Sequence, residues 1–200
     1  MNTKDWILEN TLKLILDKKT IDISISEIRN ATGLTTGGIY YYFSDKNDIL
    51  DAVVQKYLVE YIKIDFNKII LEGSSRDRIH DALFYMLHHF MNGVEIESIN
   101  EKIHYRDVIF LLTATGNASD DVNSMVSQTV KDIEKFITDL VEEGIRRNEI
   151  RHDFSVENIA ESLYLMYFGV QNYWLIFPND DIDNIFEKNF DLTWQAIRYR

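Results

Sequence analysis

Apolar residues recur at helical spacing along almost the whole chain, and this periodicity restricts the fold more than any other feature. Residues 4–18 show the pattern clearly, with five apolar side chains on one helix face: Ile7, Leu8, Leu12, Ile15 and Leu16. The 200 residues contain one proline and eight glycines, so few positions favour breaks or tight turns. The sequence therefore predicts an all-α fold.

About nine helices are predicted from this periodicity and its interruptions. The predicted helices are residues 4–18, two short helices between Ser24 and Phe43, 45–71, 76–95, 100–114, 120–147, a helix capped by Ser155 that reaches Phe177, and 181–198. Residues 21–26, "IDISIS", alternate like a strand, but a lone strand among helices has no pairing partner. We therefore predict an extended connector there, with its isoleucines in the core.

The segment from Ser24 to Thr35 has the signals of two short helices joined by a turn. Ser24 and Glu27 form a capping box, in which each side chain accepts a backbone hydrogen bond at the start of the first helix. Gly33 suits the left-handed position at the end of that helix, and Thr35 suits the N-cap of the next. This arrangement predicts a helix-turn-helix.

Residues 35–43, "TTGGIYYYF", follow that turn and include three consecutive tyrosines. On a helix that begins at the first threonine, Ile39 and Phe43 are four residues apart and share the inward face. Tyr40 and Tyr41 project elsewhere, so their hydroxyls reach solvent or a partner.

Gly37 and Gly38 fall in the first turn of the same helix, where the cost of glycine is smallest. They allow a partner to approach the backbone and its outward N–H groups closely. Helix N-termini and the hydroxyls of threonine and tyrosine are common phosphate contacts. We therefore predict the recognition helix of a DNA-binding domain; the alternative is an ordinary helical hairpin whose tyrosines line a core.

The net charge of −12 is unevenly distributed along the chain. Residues 1–48 contain six basic and seven acidic side chains, so they are almost neutral, and the rest of the chain is strongly acidic. An acidic surface repels phosphates, so any contact with DNA must be confined to the N-terminal part.

Residues 24–50 resemble the DNA-binding signature of the tetracycline-repressor (TetR) family of regulators. The matching positions are Gly33, Thr35, Gly37, Ile39, Tyr40, Phe43, Lys46, Asp48 and Ile49. The later segment "EEGIRRNEIRHDFSVENIA" also resembles the link before the dimerising helices of that family. The resemblance is strong over the first fifty residues and follows only the helix pattern over the rest.

This resemblance implies a dimeric transcriptional regulator, usually a repressor, whose C-terminal domain binds a small-molecule effector. Residues 1–48 are the predicted helix-turn-helix domain, and residues 49–200 are the predicted effector-binding and dimerisation domain. The implied partners are a palindromic operator in double-stranded DNA, a second copy of the chain and an unidentified effector. We expect the protein in the cytoplasm.

The resemblance also implies which residues contact DNA. The set is Ser24, Thr35, Thr36, Gly37, Gly38, Tyr40, Tyr41 and Lys46. Many members of the family have a lysine at the position of Thr36, and the often basic N-terminal arm is here reduced to Lys4. We therefore expect weak nonspecific binding and a modest dependence of affinity on salt.

The helix predicted before Pro178 is apolar on every side, so every side must be covered. It is either a central core helix, or a helix with one face inside the subunit and the other against a second subunit. Together with the last helix, the second arrangement gives a four-helix dimer interface around a two-fold axis. The predicted interface residues are Ile159, Leu163, Met166, Val170, Tyr173, Phe186, Phe190 and Trp194.

In the family that the sequence resembles, the effector occupies the middle of the larger domain. Candidate pocket residues on the corresponding helices are Tyr85, His88, His89, Phe110, Met125, Phe136, Tyr164 and Tyr167. Ordinary core packing is the alternative for each aromatic side chain. A pocket of phenols and imidazoles suits an aromatic or amphipathic ligand. His80 and His88 lie two helical turns, about 12 Å, apart, so they do not share a metal, and we predict no metal site and no cofactor.

Several classes of protein are excluded or disfavoured by the sequence. The absence of cysteine excludes disulfides, thiolate zinc sites and cysteine nucleophiles. There is no phosphate-binding glycine loop, nucleophile elbow or metal-binding helix motif, so we predict no enzyme. The most apolar run, "LYLMYFGV", is too short to span a membrane. A helical adaptor without DNA binding stays open as an alternative, as does, less favoured, an enzyme whose carboxylates pair only in space.

Overall fold

The computed structural model of the chain describes residues 2–96, 100–114 and 120–199. Within these ranges it contains nine α-helices, one antiparallel hairpin and one 3₁₀ turn. The helices are α1 (Thr3–Lys18), α2 (Ile25–Thr32), α3 (Thr36–Tyr40), α4 (Lys46–Ile62), α5 (Ser75–Asn92), α6 (Tyr105–Ala114), α7 (Asp120–Arg146), α8 (Val156–Ile176) and α9 (Ile182–Ile197). The strands are β1 (Val94–Ile96) and β2 (Glu101–Ile103), and the 3₁₀ turn is Phe66–Lys68. The predicted all-α fold with about nine helices is confirmed.

The predicted end of α4 is wrong. The helix stops at Ile62 instead of continuing to about residue 71, because Lys63 leaves the helix in an extended conformation. The Asp65 side chain then accepts a hydrogen bond from the Asn67 N–H at 3.2 Å and starts the 3₁₀ turn. Local capping of this kind competes with helix continuation.

The hairpin of β1 and β2 replaces part of a predicted helix, since residues 101–103 were expected to be helical. Val94 lies opposite Ile103 and Ile96 lies opposite Glu101 in the antiparallel register. Gly93 permits the turn out of α5, with a φ of 69°, and a Cβ added there would lie 2.4 Å from the Ile103 carbonyl oxygen. This close backbone approach gives no signal in helical periodicity.

Two compact units make up the chain. The first consists of residues 1–63 and 92–126, and the second of residues 64–91 and 127–200. The predicted boundary between residues 48 and 49 falls inside α4. It stays a prediction about how the functions are divided.

In the first unit, α1 packs on α2 and α4, α2 packs on α3, and α4 packs on α6. The contact between α1 and α4 buries the apolar stripe of α1 that the sequence predicted, and Ile7, Leu12 and Ile15 are completely buried. Ile23, in the connector between α1 and α2, is also fully buried. The Lys56 ammonium of α4 donates a hydrogen bond to the Asp5 carboxylate of α1 at 2.8 Å.

In the second unit, α8 packs against α9, with Leu163 and Phe186 fully buried. The backbone after α7 pairs with the backbone after α9: the Arg151 N–H donates to the Ile197 carbonyl at 2.9 Å, and the Tyr199 N–H donates to the Glu149 carbonyl at 2.9 Å. This pairing ties the last helix to the link between α7 and α8.

No helix in the part of the chain that the structure describes is long and apolar enough to cross a membrane.

Gly144 of α7 provides a test of the packing in the second unit. A Cβ added at this position would lie 2.5 Å from Ile150 Cδ1 and 3.2 Å from Ser75 Cβ. Overpacking of this kind costs about 1–3 kcal/mol, so we expect Gly144→Ala to lower the free energy of unfolding by that amount in urea titrations. Gly37→Ala is the control, because no atom lies within 4 Å of a Cβ added there. Equal stabilities of the two variants would contradict the described packing.

Candidate nucleic-acid interface

The turn between α2 and α3 has the geometry that the sequence predicted. The Ser24 hydroxyl accepts a hydrogen bond from the Glu27 N–H at 3.2 Å, and the Glu27 carboxylate accepts one from the Ser24 N–H at 2.6 Å. Gly33 has a φ of 71°, and its N–H donates to the Arg29 carbonyl at 2.9 Å. The capping box and the left-handed glycine are therefore confirmed.

Two apolar side chains, one in α3 and one three residues after its end, face inward. The helix has only five residues, Thr36–Tyr40, and is capped by Thr35, whose hydroxyl accepts a hydrogen bond from the Gly38 N–H at 3.1 Å. Ile39 and Phe43 are almost completely buried, as the sequence predicted. Such a short helix is unstable in isolation, so its orientation depends on these two buried side chains.

Residues of α1 contact the helix-turn-helix and hold it in position. The Trp6 indole N–H donates to the Thr32 carbonyl at the end of α2, at 3.0 Å. The Lys4 ammonium lies over the Phe43 ring, 5.4 Å from its centroid. Lys4 of α1 therefore has a contact within the chain.

Three tyrosines extend from this unit into solvent. The exposed fraction is 47% for Tyr40 and 81% for Tyr41, in agreement with the predicted outward direction of both side chains. Tyr42 was missed by the sequence prediction; it is 38% exposed, and its ring meets that of Tyr41 edge to face at 5.0 Å. The run of three tyrosines was the available signal for it.

The other predicted contact residues also lie at the surface. Ser24, Thr35, Thr36 and Gly37 are exposed, and Gly38 is half-buried. A Cβ added at Gly37 would meet no atom within 4 Å, so packing within the chain does not require glycine there. The open space beside this backbone is available to another molecule.

Basic side chains near the turn are few and are partly paired with carboxylates. The Lys46 ammonium lies 3.6 Å from the Asp22 carboxylate. Because both side chains are exposed, Lys46 can exchange Asp22 for another anion at little cost. Arg29 of α2 is exposed, with its guanidinium 3.3 Å from the Ser26 hydroxyl and 3.3 Å from the Asn30 amide oxygen. Arg29 was not predicted as a contact, although it is the only arginine in the first 48 residues.

The acidic member of the capping box is charged and paired. A hydrogen bond from Lys18, followed by those from the backbone and side chain of Ser24, lowers the pKa of Glu27 to about 2. Because Lys18 of α1 balances this carboxylate, the start of α2 carries no uncompensated negative charge from Glu27. A phosphate therefore meets less repulsion there than the acidic composition suggests.

Comparison with known proteins gives the family of this helix-turn-helix. Residues 7–53 match the family described as bacterial regulatory proteins, tetR family. The chain thus carries a DNA-binding region of the TetR family. It is a transcriptional regulator with a helix-turn-helix DNA-binding region.

Relatives of this TetR-family chain extend over nearly its whole length. It is 24% identical over 191 residues to an uncharacterized HTH-type transcriptional regulator in the lacX 3′ region of Lactococcus lactis subsp. lactis, covering 96% of this chain and 91% of that protein. It is 23% identical over 202 residues to the HTH-type transcriptional repressor BepR of Brucella suis biovar 1 (strain 1330), covering 98% and 87%.

The fold of this TetR-family chain also occurs in solved structures. NalD, the secondary repressor of the MexAB-OprM multidrug efflux pump in Pseudomonas aeruginosa, matches with a TM-score of 0.66 at 16% identity, over 98% of this chain and 95% of that one. At this level of identity the match supports the fold alone.

The predicted dimer-interface residues of the TetR-family chain lie mostly inside one chain. Six of them are buried in the second unit: Ile159, Leu163, Val170, Phe186, Phe190 and Trp194. Met166 is half-buried, and Tyr173 is exposed, with its hydroxyl donating to the Asp180 carboxylate at 2.7 Å. Side chains buried in one chain have little surface left for another, and the dimer interface itself stays a prediction.

A different set of apolar side chains on α8 and α9 faces solvent. On α8, Leu165, Phe168 and Ile176 are exposed, and their spacing of three and eight residues puts them on one face. On α9, Leu192 is 71% exposed. We call these four side chains the outer apolar face. Its three members on α8 lie on the side of that helix opposite the predicted interface residues.

The eight predicted pocket residues of the TetR-family chain are divided between the two units. Phe110 and Met125 belong to the first unit, and the other six belong to the second. Tyr167 is 1% exposed, and the other seven are half-buried. The effector pocket stays a prediction.

Several of these residues contact one another in pairs. Tyr85 stacks on His89 at 6.4 Å between centroids, and Phe136 lies 4.5 Å from the 3₁₀-turn residue Phe66. Tyr164 lies 6.3 Å from Tyr167, and burial, followed by the nearby Glu134 carboxylate, raises the pKa of Tyr164. Among the described residues, no three histidine, aspartate or glutamate side chains form a group that could hold a metal ion.

Two open cavities lie elsewhere in the described residues. In the first unit, a groove of about 610 Å³ is lined by Lys4, Leu8, Ala52, Gln55, Lys56, Ser124 and Met125. In the second unit, a cleft of about 330 Å³ is lined by Arg151, His152, Asp153, Arg198 and Tyr199. Of the predicted pocket residues, Met125 lines the groove in the first unit.

Gly37 separates a role in DNA contact from a role in folding. Alanine fits there without a clash and favours the helix by about 0.5–1 kcal/mol, so we expect Gly37→Ala to fold at least as stably as the native chain. The added methyl group would occupy the space at the surface of α3, and we expect affinity for operator DNA to fall by about tenfold or more. Fluorescence anisotropy with labelled DNA from upstream of the protein's own gene measures the affinity. A stable variant with native affinity would show that DNA does not approach this backbone.

Proposed function

We propose that this TetR-family regulator is a homodimeric repressor that binds a palindromic DNA operator and is released by a small-molecule effector. The observation that carries the proposal is the division of residues 35–43 into two faces. Ile39 and Phe43 are buried, whereas Tyr40 and Tyr41 extend into solvent beside a glycine backbone with open space around it. A helical hairpin that served only the core would bury these rings.

Hydroxyl groups, rather than a high density of cations, make most of the contacts in the proposed DNA complex. Thr35, Thr36 and the exposed tyrosines supply donors for phosphates and base edges. Lys46 and Arg29 add positive charge at the edges, once their weak contacts with neighbouring side chains are exchanged for phosphate. Lys4 contributes less, because it lies over Phe43.

A second copy of the chain is the proposed partner of the outer apolar face. Four large apolar side chains are exposed on α8 and α9, which pack on each other, and large apolar patches are rarely left open to water. Two antiparallel copies of α8 and α9 would cover them as a four-helix interface around a two-fold axis. The two copies of α3 would then read half-sites separated by about 34–36 Å or a multiple of that distance.

The proposed effector is an aromatic or amphipathic molecule. The aromatic and histidine side chains on α5, α7 and α8 are half-buried, and they combine apolar rings with hydrogen-bonding groups, as ligand sites do. BepR is named a transcriptional repressor, and NalD represses a multidrug efflux pump. Release follows from differential affinity: an effector that prefers a state with another separation of the two α3 helices weakens operator binding by that preference.

The proposed place of action is the cytoplasm, because a regulator of this kind must reach the chromosome. The absence of cysteine is compatible with that reducing compartment.

Tyr41 tests the DNA-binding part of the proposal. Its side chain is 81% exposed, so Tyr41→Ala is expected to change the free energy of unfolding by no more than about 0.5 kcal/mol. Loss of a phosphate or base-edge contact is expected to weaken the affinity for DNA from upstream of the protein's own gene by about fivefold to a hundredfold. An electrophoretic mobility-shift assay measures this retardation of the DNA. Tyr199→Ala is the matched control, since Tyr199 is also exposed but lies in the second unit. Native retardation by Tyr41→Ala, or an equal loss in the control, would count against α3 as the recognition helix.

Phe168 tests the dimer. We expect Phe168→Glu to change a dimer into a folded monomer in analytical ultracentrifugation, because a charge in an apolar interface is not compensated. Ile70→Glu is the control, because Ile70 is also an exposed apolar residue but lies outside α8 and α9. Circular dichroism would verify that both variants are folded. A Phe168→Glu variant that stays dimeric would exclude the outer apolar face as the interface.

A further inference from the structure

We propose that His80 is a proton-operated link between α5 and α9, so that the attachment of α9 to α5 depends on pH. The proposal concerns the second unit alone and is independent of DNA binding.

Both ring nitrogens of His80 lie within hydrogen-bonding distance of a carboxylate. Nδ1 is 2.9 Å from Asp81 Oδ1 on the same helix, and Nε2 is 2.7 Å from Glu187 Oε1 on α9. A neutral imidazole has one N–H and can satisfy one of these acceptors, whereas the imidazolium has two and satisfies both. Removal of the proton therefore leaves one carboxylate facing a lone pair, and one of the two contacts is lost.

Aromatic rings surround the imidazole and restrict its movement. Phe84 stacks on it at 5.6 Å between centroids, and Phe186 and Phe190 of α9 approach it edge-on at 5.5 Å and 5.1 Å. Two of these rings belong to α9. The imidazole therefore stays beside Glu187 in either protonation state, and its charge changes the strength of the contact.

Most of the charged groups facing His80 are acidic. On α5 they are Asp77 and Asp81, together with the cation of Arg76. On α9 they are Glu187 and Asp191, and the Asp191 carboxylate pairs with the Arg76 guanidinium at 2.6 Å. Arg76 pairs with Asp191 and lies over the Phe190 ring, so Glu187 pairs with His80 instead.

The net effect of this environment favours the charged imidazole. Burial of the ring opposes protonation, but the hydrogen bonds to Asp81 and Glu187 outweigh burial, and the pKa of His80 is raised above its usual value near 6.5. Because the pKa is raised in the folded state, the contact contributes its full stabilisation below about pH 6.5. This stabilisation is lost as the pH rises through the higher pKa of the folded protein. The change therefore falls above pH 6.5.

A second approach of a histidine to a carboxylate, an ion pair by distance but without hydrogen-bond geometry, lies two turns further along α5. His88 Nε2 is 3.0 Å from Asp183 Oδ1, at the start of α9, and the ring of Phe84 lies between the two histidines. Histidines of α5 therefore meet carboxylates of α9 at two points along the same contact. His80 is the sharper case, because both of its nitrogens face carboxylates.

The consequence for regulation rests on the proposed function. α9 carries Leu192 of the outer apolar face, so a firmer attachment of α9 at low pH would favour the dimer. The stability measurements below do not depend on that step.

Thermal unfolding of the intact chain and of Glu187→Gln at pH 6 and pH 9 tests the link. The glutamine keeps the size of the side chain and removes its charge, so we expect a Tm about 2–4 °C below the native value at pH 6 and a difference below about 1 °C at pH 9. Asp139→Asn is the matched control: it also neutralises a surface carboxylate, but Asp139 pairs with Lys135 of α7 instead of a histidine. Its effect is expected to be equal at both pH values.

A histidine titration by NMR gives the second readout. The His80 resonance, assigned by its loss in His80→Gln, is expected to titrate above pH 6.5 in the native chain and at a lower pH in Glu187→Gln. A native His80 that titrates at or below 6.5, or a Glu187→Gln effect on Tm that is the same at both pH values, would overturn the proposal. Repeating the unfolding measurement in the Phe168→Glu background separates it from dimerisation: the pH-dependent difference should persist there.

Discussion

The burial of Ile39 and Phe43 is the constraint on which the proposed DNA-binding surface depends. A five-residue helix cannot persist alone in water, because nucleating a helix costs more than so few hydrogen bonds return. Each buried side chain of this size contributes about 1.5–3 kcal/mol, which is enough to hold α3 against the core that α1, α2 and α4 form. Once these two residues are fixed inward, helical geometry turns Tyr40 and Tyr41 outward and exposes the backbone of Gly37.

The same region explains how a strongly acidic chain can have a surface suited to DNA. Glu27 is paired with Lys18, and Asp22 lies near Lys46, so local pairs offset part of the negative charge around the turn. The remaining exposed groups are largely hydroxyls and aromatic rings, which bind phosphates by hydrogen bonding and shape. Electrostatic attraction at long range is therefore weak, and specificity must come from close fit.

α8 shows how one helix can serve two purposes in the second unit. Its inner side, with Leu163 and Val170, is buried within the chain, and its outer side leaves Leu165 and Phe168 in solvent. Between the neighbouring helices α5 and α9, the polar contacts lie at the edge of the interface. There His80 meets Glu187 beside aromatic rings. Apolar packing thus holds these helices together, and the half-exposed ionisable groups adjust the strength of one contact.

The sequence by itself determined the helical class, most helix bounds and the helix-turn-helix. Capping boxes, left-handed glycines and apolar spacing act within a few residues, as Ser24, Gly33 and Ile39 illustrate. Tertiary structure alone decided which side of α8 was buried, because periodicity identifies residues that share a face but not the element that covers it. It also decided the hairpin beside Gly93 and the meeting of His80 with Glu187, since these contacts join residues whose proximity depends on how the chain folds back on itself.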